Sequence, residues 1–269
     1  METTISPPRF PPEILDHIVD FLHYEHEELH QCCLVSKSWI SRTRKHLFQF
    51  IQFSMEYDLD VWKEIFPDPM NSPAHHTRAL IVACYPGDVE ESSWILGFSR
   101  AERLVVDFGW ARTRVACVTL VPFRALASTL KSIEVFSTGY LPRSQILDFI
   151  CSLFVLEDLR LSGAGVSDAD ELDSPPIVIS TSPQLSGLLD LFATEDLSRI
   201  LRTLLDLPGG FHFRRLKLVW FCAADLSLVM EFVTACSDTL ECLDIMCGIS
   251  GARGFFFVVS AICLNPACR

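Results

Sequence analysis

Hydrophobic positions along the chain follow two regimes. Between Phe10 and Phe50 they recur at helical spacing. Ile14, Leu15, Ile18, Val19 and Leu22 form one stripe. Leu29, Cys32, Cys33 and Val35 form a second, and Trp39, Ile40, Leu47 and Phe48 a third. The spacing predicts three short helices. Pro11 and Pro12 fit the first turn of the first helix, where a missing amide donor costs nothing. From residue 77 onward the pattern becomes a short strand followed by a helical stripe, many times over. A motif of apolar-x-x-Leu-x-apolar recurs as Ala101, Leu104, Val106; Leu130, Ile133, Val135; Leu156, Leu159, Leu161; Phe213, Leu216, Leu218; and Leu240, Leu243, Ile245. With a fainter copy at Leu80 and a blurred one at Leu188 or Leu189, the central positions are 80, 104, 133, 159, 188, 216 and 243, at steps of 24 to 29 residues. Ser144 to Phe154, Glu195 to Leu205 and Asp225 to Val233 carry apolar residues at the 3.6-residue period of an amphipathic helix. Strand and helix in alternation predict an α/β solenoid, with parallel strands along one face and helices along the other.

The stretch FPDPMNSPAHH, Phe66 to His76, carries three prolines and reads as a loop. The expected organisation is a helical module at residues 1–54, a linker at 55–76 and a repeat region at 77–269. The repeat period lies in the range of leucine-rich repeats, which that region resembles. The Asn or Cys usual at the ninth position is replaced by Gly109, Thr138, Ala164, Phe221 and Gly248, so irregular repeats are expected. Val166 to Pro176 reads as an acidic insertion between repeats. The chain stops soon after the seventh predicted strand, over Phe255 to Arg269, without an evident polar cap. Solenoid ends need one, so the C-terminus reads as shortened, with an exposed apolar end.

Composition narrows the function classes. Of 269 residues 49% are apolar, which is ample for a core and too hydrophobic for disorder. The 22 basic against 34 acidic residues give a net charge of −12. Nucleic acid and anionic membrane surfaces are therefore not expected partners, since both require a basic face. The longest apolar run, Phe255 to Leu264, is half the ~20 residues that span a bilayer. The N-terminus has no basic and apolar leader. The 11 cysteines are scattered without a C-x-x-C pair, which points to reduced thiols in a cytoplasmic or nuclear protein. Cys117, Cys151 and Cys236 read as small buried hydrophobes.

The N-terminal module resembles an F-box. Pro11 precedes Pro12-Glu13-Ile14-Leu15, and Cys32, Leu34-Val35, Lys37, Trp39 and Leu47-Phe48 follow at the family's spacing. Phe10 stands for the usual leucine, one proline is extra, and Ser36 replaces a common cysteine. The order of F-box and irregular leucine-rich repeats looks like a large fungal group of F-box proteins. The resemblance implies a substrate receptor of a Skp–cullin–F-box ubiquitin ligase, docking the Skp subunit through Phe10, Pro11, Ile14, Leu15, Ile18, Leu34, Val35 and Trp39. The same side chains also suit the small core, Trp39 above all.

In the repeat region alternation along the strands sends the leucines inward and their neighbours outward. The outward set includes Arg103, Asp107, Glu134, Phe136, Arg160, Arg215, Lys217 and Asp244, with Val105, Ser132, Asp158, Ser162, Val219, Cys242 and Met246 beside them. Mixed charge with a few apolar anchors suits a substrate protein, and equally a plain solvated sheet face. An alternative to the ligase adaptor is a repeat scaffold not engaged with a cullin complex.

One catalytic motif competes. His26-Glu27-Glu28-Leu29-His30 fits H-E-x-x-H, in which two histidines on one helix face bind zinc and the glutamate acts as base, with Glu56 as a third ligand. Only 25 residues precede His26, too few for the sheet that holds substrate in such hydrolases. There is no G-x-S-x-G elbow and no Gly-Lys phosphate loop, and Gly163-Ala-Gly165 lacks the third glycine of a dinucleotide fingerprint. His75-His76 has no cysteine at zinc spacing. The sequence thus reads as a non-catalytic adaptor without cofactor or metal, with a zinc hydrolase the less favoured reading.

Overall fold

The computed structural model describes residues 11–54, 56–83, 89–107, 120–136, 140–163, 165–167, 185–192, 197–207, 210–221, 223–248 and 256–263. Three helices open the chain: α1 Pro12–Phe21, α2 His26–Val35 and α3 Lys37–Leu47. Pro11 caps α1 with Pro12 at its first position, and the Ser36 side chain accepts from the Ser38 amide to start α3. This core is small: Val19, Leu29, Cys32 and Thr43 are its buried residues, and the Thr43 hydroxyl donates to the Trp39 carbonyl at 2.8 Å.

The remaining elements are β1 Phe50–Phe53, α4 Glu56–Ile65, β2 Ala79–Val82, β3 Arg103–Asp107, β4 Ser132–Phe136, β5 Tyr140–Pro142, α5 Arg143–Ser152, β6 Asp158–Ser162, β7 Gly165–Ser167, β8 Leu188–Phe192, α6 Leu197–Leu205, β9 Arg215–Phe221, α7 Leu226–Ala235, β10 Cys242–Gly248 and β11 Phe256–Cys263. One sheet runs in the order β1-β2-β3-β4-β6-β8-β9-β10-β11, and β5 pairs with β7 in a small second one. Eight strands, from β1 to β10 along this order, pair in parallel, and β11 closes the edge antiparallel to β10.

The inward row matches the sequence pattern closely. Ile51, Leu80, Leu104, Ile133, Leu159, Leu189, Leu216 and Leu243 stand in register from β1 to β10. Leu80, Leu104, Ile133, Leu159, Leu189 and Leu216 are buried against Phe149 and Ile150 of α5, Leu201 and Leu204 of α6, and Val229 and Phe232 of α7. The helices therefore lie on one face, and burial alternates along the strands because the opposite face carries none of them. The ninth-position residues Gly109, Thr138 and Ala164 lie outside the described residues, as does most of the acidic insertion.

The structure differs from the sequence pattern in four places. The blurred copy resolves onto Leu189 rather than Leu188, because Leu189 and Leu191 alternate inward while Asp190 faces out. Phe50–Phe53 forms an eighth parallel strand ahead of Leu80, and α4 follows it where the linker was expected. The prolines of 66–76 open two short 3-10 turns, Pro69–Asn71 and Pro73–His76. Asp68 and Ser72 cap them by accepting from the Met70 and Ala74 amides at 3.0 and 3.4 Å. Gly97 fits against them only for lack of a side chain, since a Cβ there would stand 2.6 Å from the Pro69 carbonyl oxygen. The apolar run at 255–264, read as an uncapped end, supplies β11. Among the described residues no helix is long and apolar enough to cross a membrane.

Candidate docking surfaces

Two surfaces present unspent chemistry. The first lies on the helical module. Ile14, Ile18 and Phe21 follow one line of α1 at i, i+4 and i+7, and they are 45%, 42% and 86% exposed. At the end of α2, Leu34 and Val35 are 80% and 68% exposed. Pro11 is exposed too, whereas Leu15 and Trp39 are half-buried and Phe10 lies outside the described residues. Large apolar side chains standing in water on a module with so small a core suit a partner. Phe21 was absent from the expected set, although its place seven residues after Ile14 is a signal that the sequence carries.

These helices are tied from beneath by charge. The Asp20 carboxylate accepts from Arg42 Nε at 2.6 Å, from the same guanidinium's Nη2, and from His46 Nε2 at 2.7 Å. The hydrogen bonds from Arg42, more than that from His46, hold the Asp20 carboxyl far below the usual carboxylate range, against a smaller opposing effect of burial. A carboxyl whose folded value is depressed stabilises fully above its unfolded value, near 4, and that contribution declines as pH falls below it. The cluster is about a third exposed, so Asp20→Asn should cost only about 1 kcal/mol at neutral pH. Urea titrations should show the gap between wild type and Asp20→Asn narrowing steadily below pH ~4. A gap that widens there would contradict the assignment.

The second surface is the helix-free face of the sheet, where register sets three rows. The first holds Arg103, Ser132, Asp158, Leu188, Arg215 and Cys242. Within it Arg215 lies 3.9 Å from Asp158, whose Oδ1 also accepts from the Leu188 amide at 2.7 Å. The middle row runs Glu134, Arg160, Asp190, Lys217, Asp244 from β4 to β10, and its charge alternates at every strand. Glu134 is 3.0 Å from Arg103 and 3.8 Å from Arg160, and Lys217 is 3.2 Å from Asp190. The third row holds Phe136, Ser162, Phe192, Val219 and Met246, of which Phe192 and Met246 are exposed and Val219 is buried. Asp107 sits in register with Phe136, and Val105, in the middle row, is buried.

The expected outward residues thus come together on one face, mostly as a ladder of cross-strand ion pairs. Asp190 and Phe192 were missing from the expected set because the Leu188-Leu189 pair admits two registers. The ladder is not fully closed. Arg160 Nε and Asp190 Oδ1, on residues directly opposite in register, are shielded from solvent and hydrogen-bonded to nothing among the described residues.

The H-E-x-x-H residues open α2, where His26, Glu27 and His30 are all exposed. Among the described residues no three His, Cys, Asp or Glu side chains are grouped to hold a metal. Burial raises the Cys151 thiol and pushes that of Cys236 up to about 12, leaving both as unreactive packing groups.

Compared with known proteins, residues 8–50 match the F-box domain family. No curated protein and no solved structure matches the chain.

Proposed function

We propose, from the F-box match at residues 8–50, that the chain is a substrate-recognition adaptor of a Skp–cullin–F-box ubiquitin ligase. An F-box implies a role in such complexes through the Skp subunit. The observation that supports this most directly is the exposed apolar line Ile14, Ile18, Phe21 with Leu34 and Val35 on the matched helices. Pro11, Leu15 and Trp39 would flank it, and Phe10 would extend it. The ligation chemistry belongs to other subunits, and the chain acts by joining two proteins in the cytoplasm or nucleus.

The target would dock on the open sheet face at 103–246, an irregular leucine-rich-repeat surface in this reading. Arg103, Asp107, Glu134, Phe136, Arg160, Arg215, Lys217 and Asp244 would contribute there, joined by Asp190 and Phe192. The alternating charges of Glu134, Arg160, Asp190, Lys217 and Asp244 favour a partner of complementary mixed charge. The adaptor reading is tested by titrating the full chain with a purified Skp subunit. Binding in the sub-micromolar range supports it, and absence of binding leaves the repeat scaffold.

Charge neutralisation tests the face. Arg160→Gln with Lys217→Gln should leave folding within about 1–2 kcal/mol of wild type, since partly exposed pairs contribute little. Quantitative proteomics should nonetheless show depletion of proteins stabilised by loss of the wild-type chain to be restored only by wild type. Full rescue by the double variant would remove the face from target binding.

A further inference from the structure

Where α3 meets the turn Pro73–His76, positive charge gathers without an ion-pairing carboxylate among the described residues. The last turn of α3 presents Arg44 and Lys45, both exposed. α3 packs on the turn Pro73–His76, whose two histidine rings lie 3.9 Å apart, centroid to centroid. His75 Nδ1 is engaged with the Ser72 carbonyl at 2.8 Å, which fixes that ring. Arg100, exposed just before β3, follows the 3-10 segment Val89–Phe98, which packs on the same turn. Arg44, Lys45, His75, His76 and Arg100 make no ion pair among the described residues, while nearby Arg78 and Lys131 both reach Glu102.

The charged groups that press on His76 are His75 from its own turn, Arg100 from the segment before β3, and Lys45 and Arg44 from α3, all of them basic. Burial first, and these neighbours after it, press its imidazole below the ordinary value. Asp68, at the start of the adjoining turn Pro69–Asn71, is engaged by the Met70 amide and the Asn71 side chain. The negative end of the α3 dipole accounts for Arg44 and Lys45 at a helix C-terminus. It does not account for their convergence with Arg100 and the histidine pair in a chain of net charge −12.

We propose that this junction is a docking site for an acidic segment of a partner protein, held by Arg44, Lys45, His75, His76 and Arg100. Guanidinium forks take carboxylates two bonds at a time, and Lys45 adds a point charge. A short acidic run fits the local patch, whereas a long nucleic-acid polyanion would be repelled by the acidic remainder of the chain. The seated carboxylates would replace the missing counter-charge and favour the protonated form of His76.

The test is fluorescence anisotropy of fluorescein-labelled octaglutamate titrated with the full chain at low ionic strength. We expect saturable binding that weakens about tenfold or more in Arg44→Gln/Arg100→Gln. Arg214→Gln, at an exposed cation before β9, should bind as wild type does. The His76 ring resonances should titrate at higher pH when the peptide is present. The proposal is overturned by absence of saturable binding, by equal weakening in Arg214→Gln, by binding with His76 unmoved, or by tighter binding of a DNA duplex.

Discussion

Ile14→Asp combined with Leu34→Asp is expected to weaken Skp binding by about a hundredfold or more, roughly 2.7 kcal/mol. The two side chains are 45% and 80% exposed in the free chain, so each substitution places a carboxylate in water and leaves the fold alone. In the complex the same carboxylates would be shut away from solvent without a partner, a cost that apolar contacts cannot offset. Titration calorimetry of the full chain with the Skp subunit reads the loss, and circular dichroism verifies unchanged helicity. Binding within a few-fold of wild type would move the docking surface off these helices. Val19 and Leu29 are the contrasting positions. They are buried in the module's small core, so aspartate there should abolish binding by unfolding it.

The largest stability effect is expected from Phe53→Ala. Phe53 is 3% exposed on β1, and its ring meets those of Trp62, Trp94 and Phe98 edge-on at 5.8, 5.7 and 6.2 Å. These rings belong to β1, to α4 and to the 3-10 segment Val89–Phe98, so one side chain joins the helical module's exit to the first strands of the sheet. Truncating a buried Phe costs about 3–5 kcal/mol, transfer and cavity together. In a solenoid each repeat contacts only its neighbours. The loss should therefore concentrate at this end, with amide exchange accelerating in β1 and β2 before β8 and β9. A urea midpoint shift worth under about 1 kcal/mol would show that the site collapses around the gap.

Much of this architecture was written in the chain's local pattern. Helical stripes and the opening prolines specify α1, α2 and α3. The inward leucines specify seven of the eight parallel strands, because period 2 within a strand and 24 to 29 residues between strands leave few other arrangements. The face that carries Arg103, Glu134, Arg160 and Lys217 was legible for the same reason, since fixing the inward residues fixes the outward ones. The F-box residues were legible through several residue types at set spacings.

Pairing across strands decided the rest. Leu188 and Leu189 are interchangeable in sequence, and only the neighbours Leu159 and Leu216 choose between them. That choice puts Asp190 between Arg160 and Lys217 and makes the charge alternation continuous. β1 is four residues long and β11 is apolar apart from Ser260, so neither carries a repeat signature. Each became a strand because an adjacent edge offered unpaired backbone groups. Prolines that read as a linker became capped turns once Gly97 allowed the chain to close over them. Residues 44, 45, 75, 76 and 100 are scattered in sequence, and only the packing of α3 on the turns makes them one patch. Sequence determines which side chains face in or out locally. Register and long-range packing determine which of them meet, because those contacts are made between segments that carry no information about one another.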